Sequence, residues 1–185
     1  MTSRARLVAL AGARLLPLGL PDDDAAQQIL VRASGRHLSS DELSAAMEIV
    51  EQCGRLPLAL RIAGARLAAL PGLSWVDLAA RLRDERSRLD ELTVRDLAIR
   101  GRLESGYRHL DQVAARAFRR LARLETPTFT WLAFRQLSGL PASEAEAAMQ
   151  RLVDMGLVDV AETDGGGTLC RLHELSRLHG RELGR

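Results

Sequence analysis

Gly156-Leu157-Val158-Asp159-Val160-Ala161-Glu162-Thr163-Asp164-Gly165-Gly166-Gly167-Thr168-Leu169-Cys170-Arg171-Leu172-His173 is where the periodicity of this chain changes. Leu157–Ala161 and Thr168–Leu172 read as two strands around a turn at 164–167. After the turn, Leu175, Leu178 and Leu183 return to helical spacing over 173–183. Four helical stripes precede the hairpin. Ile99, Leu103, Tyr107 and Leu110 mark the first. Val113, Ala114, Ala117, Phe118, Leu121 and Leu124 mark the second, which Thr126-Pro127 breaks. Phe129, Trp131, Leu132, Phe134 and Leu137 predict a third helix, ended by Gly139. The fourth runs from Pro141 to about Met155, with Ala145, Ala148, Met149 and Leu152 inward. Helices followed by a hairpin are the order of a winged helix, so residues 98–185 are expected to form such a domain.

The stretch before it reads as a separate helical bundle. Pro21-Asp22-Asp23-Asp24 sets acids where a helix N-terminus favours negative charge, and Gly35 ends that helix. Ser39 and Glu42 have capping-box spacing ahead of Leu43, Ala46, Met47 and Val50. Gly54 stops that helix, Pro57 opens another, and Pro71-Gly72 ends it. Ser74 caps a short helix bearing Trp75, Leu78, Ala79 and Leu82. The fold class is therefore mainly α: a small helical bundle over 21–83, then a winged helix with a short β-hairpin. Residues 84–97 are dense in charge and read as a connector. The apolar opening 1–20 includes Leu15-Leu16-Pro17-Leu18, which could be a short edge strand. It looks like a short signal peptide, but Arg14 interrupts the apolar run, which argues against that.

Composition narrows the chemistry. The chain has 185 residues, 46% hydrophobic and 27% charged, the balance of a globular protein. All 26 basic residues are arginine. Without lysine there is no Schiff base, no lysine general base and no G-x-x-x-x-G-K-[ST] phosphate loop. Two cysteines make neither a disulfide framework nor a metal cluster, and a reducing cytoplasm is expected. No apolar run is long enough to span a membrane. The histidines His37, His109 and His179 lack metal-ligand spacing. No nucleophile–base constellation is visible, so no catalytic or metal residue is assigned, and the chain by itself is not expected to be an enzyme.

Charge is unevenly spread. Residues 81–123 carry 12 Arg against 7 acids, and residues 141–164 carry one Arg against 6 acids. The helix that would enter a major groove, 141–155, begins with Ser143, Glu144 and Glu146. Phosphates repel such a face, which argues against DNA contact by this segment. The arginine-rich stretch is interleaved with acids and reads as a salt-bridged helical face.

Three positions could meet a ligand. His173 stands where the second strand meets the last helix, where it could face an anion beside backbone N–H groups or simply cap its own helix. Pro57, in Cys53-Gly54-Arg55-Leu56-Pro57-Leu58-Ala59-Leu60, could lay its ring on an adenine or merely start a helix. Arg4, in Thr2-Ser3-Arg4, could pair with phosphate oxygens or be solvated.

Taken in order, these strings resemble the C-terminal part of the NB-ARC domain, a STAND-class nucleotide switch, as found in actinobacterial SARP-type transcriptional regulators. Thr2-Ser3-Arg4 is similar to the family's sensor-1 strand end, which implies that Arg4 approaches the nucleotide γ-phosphate. Leu15–Leu18 resembles the exit from the nucleotide-binding core, making 1–20 the tail of that core. Gly54–Leu60 resembles the GLPL segment, which implies Pro57 against the adenine. Leu172-His173-Glu174 resembles the MHD motif, which implies that His173 contacts the ADP β-phosphate and holds a closed, inactive state. Two positions depart from the pattern: Arg55 stands for the first glycine of GLPL, and Glu174 for the aspartate of MHD. The resemblance implies ADP or ATP as ligand, bound weakly or not at all by this chain alone. The phosphate loop, the rest of the nucleotide-binding half and the effector domain would be its partners. The intact protein would be a slow ATPase switch. A stand-alone winged-helix DNA-binding domain, or a helical protein-interaction domain, is the alternative.

Overall fold

A computed structural model describes residues 19–94, 97–162 and 168–184. The chain divides into two compact units, Leu18–Arg102 and Leu103–Arg185. The expected opening strand, Arg4 and the turn residues 163–167 lie outside the described residues.

The first unit is helical. Asp22 caps α1 (Asp23–Ser34), its Oδ1 accepting from the Ala25 N–H at 2.8 Å, and Gly35 closes it at φ 61°. The Ser39–Glu42 pairing forms, but it opens a single 3₁₀ turn, Ser40–Glu42, that leads into α2 (Leu43–Gln52). Pro57 occupies the first turn of α3 (Pro57–Ala69), where its missing N–H costs nothing. Ser74 and Asp77 cap α4 (Trp75–Arg83) reciprocally. Residues 84–98 contain α5 (Arg88–Glu91) and a short antiparallel pair, β1 (Thr93–Val94) with β2 (Leu97–Ala98). They belong to the first unit, with Leu89 and Leu92 fully buried.

Helices α1 and α3 pack at close range because residue 64 is glycine. A Cβ there would lie 2.5 Å from the Ala33 Cβ and 2.7 Å from the Leu30 carbonyl oxygen. Leu30, Ile49, Leu60, Leu67, Trp75, Leu78 and Leu82 fill the core around this contact.

Helix α6 (Ile99–Tyr107) carries the chain into the second unit. There α7 (Gln112–Leu121), β3 (Thr128–Thr130), α8 (Trp131–Ser138), α9 (Ala142–Asp154), β4 (Val158–Glu162), β5 (Thr168–Leu172) and α10 (Glu174–Glu182) follow. The sheet order is β3-β5-β4, antiparallel throughout. This is a winged-helix arrangement, and it was expected except in one place. Phe129 does not start a helix. It sits in β3, facing the core between exposed Thr128 and Thr130, opposite Cys170 of β5. Three residues of alternation are too few to stand out against the helical stripe that follows them. Phe118, Leu121, Phe134, Leu152 and Leu172 form the core of this unit.

The arginines explain how a chain without lysine finishes its helices. The last carbonyls of a helix have no partner within it. Arg36 donates to the carbonyls of Leu67, Leu70 and Leu73, around the end of α3. Arg88, buried, donates to those of Leu82 and Arg83 at the end of α4. Arg120 serves Leu137 and Ser138 at the end of α8, and Arg181 serves Ala122 and Leu124 beyond α7. A planar guanidinium can bond two or three such oxygens at once, which an ammonium cannot match in geometry. Two arginines of the expected salt-bridged face, Arg88 and Arg120, are such fasteners, while Arg83, Arg100 and Arg108 of the same stretch pair with acids as expected.

Candidate functional site

His173 is the N-cap of α10. The residue is 9% exposed, at the junction of β5 and the helix. Its Nδ1 accepts from the Leu175 N–H at 3.2 Å. A ring nitrogen that accepts carries no proton, so the neutral imidazole bears its hydrogen on Nε2. The histidine thus caps its helix and has one defined donor.

Glu174, where the resemblance places an aspartate, holds an arginine. Its two oxygens take Nε and Nη2 of Arg177 at 3.1 and 2.9 Å. Nη1 of Arg177 donates to the Leu124 and Glu125 carbonyls. The longer glutamate thereby ties the start of α10 to the loop between α7 and β3. Sequence reading missed Arg177. Its spacing of three from Glu174 is the signal that could have found it.

Pro57 lies in the first unit, exposed, immediately after a sharp reversal of the chain. Gly54 and Arg55 both have φ 58°. Arg55 thus occupies a left-handed position that glycine fills without strain, and the glycine of the resembled segment would suit it better. Its Nε meets Asp23 Oδ1 at 2.6 Å, with both side chains about half exposed. Arg4 lies outside the described residues. Pro57 belongs to one unit and His173 to the other.

The cysteines are inert in this fold. Cys53 is fully buried, and burial pushes its thiol up to about 12. Burial also raises the Cys170 thiol. Among the described residues, no group of His, Cys, Asp and Glu could hold a metal ion. No helix among them is long and apolar enough to cross a membrane.

Comparison with known proteins gives this geometry its context. No protein-family model matches the chain. Over 181 residues, 98% of its length, it is 40% identical to regulatory protein AfsR of Streptomyces griseus. The chain is similar to a segment of AfsR. It is also 39% identical, over the same length, to AfsR of Streptomyces coelicolor. The chain spans 18% of the length of each AfsR it matches. Both AfsR proteins come from actinobacteria, the group in which the SARP-type regulators of the sequence resemblance occur, and the match supports that part of it.

Proposed function

We propose that this chain is the regulatory part of a nucleotide-dependent switch that controls a transcription-regulating effector. The observation that carries this reading is the end-to-end alignment with AfsR, a protein named for regulation. The ordered Arg4, Pro57 and His173 strings supply the nucleotide half of the proposal. In it, Pro57 offers an exposed apolar ring to adenine. His173, held by its own helix, donates Nε2–H to a β-phosphate oxygen of ADP. Arg4 meets the γ-phosphate of ATP. A ligand that contacts one arrangement of the units better than the other shifts the population between them. The chain works in the cytoplasm, contributes one wall of the cleft, and leaves the phosphate loop and the effector to the rest of the protein. It performs no catalysis by itself.

The DNA-binding alternative is disfavoured by what α9 exposes. Ser143, Glu144, Glu146, Gln150 and Arg151 face solvent, and Arg151 pairs with Asp111 at 3.4 Å. Duplex phosphates find no basic surface there.

The test uses a full-length AfsR whose matched segment is replaced by this chain. The purified protein is expected to retain ADP through gel filtration. His173→Ala should weaken ADP retention about tenfold, the size of one charge-assisted hydrogen bond, and raise basal transcription from an AfsR-dependent promoter. Unchanged ADP retention would remove His173 from the site.

A further inference from the structure

The C-terminal end of α6 and the outer face of α7 enclose a groove of about 360 Å³ that the nucleotide reading does not use. Tyr107, Leu110 and Ala115 give it an apolar floor, and the exposed Arg108 and Arg116 and the half-buried Arg119 line it with charge. The one acid lining it is Glu104, whose carboxylate pairs with Arg108 Nε at 3.0 Å and lies 3.3 Å from His179 Nε2. Asp111, at the start of α7, caps that helix through Ala114 and pairs with Arg151. Arg119 donates to the Tyr107 hydroxyl, which fixes the ring as a floor. Arg116 is exposed and, among the described residues, makes no hydrogen bond or ion pair. Helix α7 itself holds three arginines and no acid.

We propose that this groove is a docking site for an acidic, amphipathic polypeptide segment, one that alternates carboxylate with apolar side chains. Charge complementarity selects the carboxylates: Arg108 offsets the one lining carboxylate, and Arg116 and Arg119 remain as a surplus of two guanidinium groups. The apolar floor selects the rest of the partner, since a purely ionic ligand would leave Leu110 and the tyrosine ring wet. A hollow of this volume admits a few side chains, not a duplex, whose phosphates are bound by convex or extended basic surfaces. Arg116 is the specificity-determining residue, because it can change partner without releasing anything in the fold.

The experiment is fluorescence anisotropy with the intact 185-residue chain and a short fluorescein-labelled peptide of alternating Glu and Leu. The expected result is saturable binding that weakens with salt. Arg116→Gln should weaken it about tenfold, while Arg61→Gln, an equal charge loss in the other unit, leaves it unchanged. Excess unlabelled duplex DNA should not displace the peptide. Absence of binding, equal binding of a Gln–Leu peptide, indifference to Arg116→Gln, or displacement by DNA would each overturn the proposal.

Discussion

Arg55 shows how a departure from a pattern becomes a physical statement. At φ 58° its Cβ crowds the following carbonyl, and glycine would not. Its ion pair with Asp23 is half exposed and offsets only part of that strain. In an Asp23→Ala background, where the pair is absent, Arg55→Gly should therefore raise unfolding free energy by about 1 kcal/mol. Urea denaturation of the single and double variants measures this. No change, or a loss, would show that the left-handed residue carries no strain. At His173 two roles share one ring: Nδ1 caps α10 and Nε2 carries the proton. Removing the cap with His173→Ala should cost about 1 kcal/mol, also read by denaturant.

At the level of helices and strands, the sequence announces starts and stops clearly. Asp22, Gly35, Ser74, Pro57 and Gly139 all act where their chemistry says they should. Two things were not legible. The first is β3, three residues long, whose pairing with β5 is made by residues about forty positions away and leaves no local period. The second is the use of arginines as C-terminal fasteners, because the carbonyls they meet are chosen by tertiary packing. Arg36 and the oxygens it bonds are 31 to 37 residues apart. Arg36→Lys keeps the charge and loses the fork, so it should destabilise the chain by about 1–2 kcal/mol. A stability equal to the parent would mean that charge alone matters at the end of α3. Gly64→Ala tests the α1–α3 contact. With backbone of the facing helix within 3 Å of the new methyl, about 2–3 kcal/mol of destabilisation is expected in the same assay.

Taken as a whole, the molecule has an unusual alkaline titration. With no lysine, the side chains that ionise between neutral pH and arginine are two cysteines and one tyrosine. The Cys53 thiol moves from its ordinary 9.0 up to about 12 in the fold. A raised value means that the unfolded chain gives up the proton first. Stability from this thiol is complete below pH 9.0 and is lost as pH rises towards 12. Melting temperature should fall over that range, and Cys53→Ala should flatten the slope while lowering the plateau. An unchanged slope would mean that the thiol is not what titrates. The candidate site was only half legible at this level. The residue types and their order along the chain were readable. The local settings of Pro57 and His173, one exposed on a helix start and one capping a helix, came from the fold. Their membership of two separate units does not reduce to spacing along the sequence.

The claim that most needs testing is that His173 serves a nucleotide and not only its own helix. His173→Asn separates the two. Asparagine keeps an oxygen that caps α10, but its amide is too short to reach where Nε2 reaches. In a full-length AfsR carrying this segment, the melting temperature should stay close to the parent's while co-purified ADP is lost. Parental ADP content in the asparagine variant would contradict that claim, and would leave His173 as a helix cap.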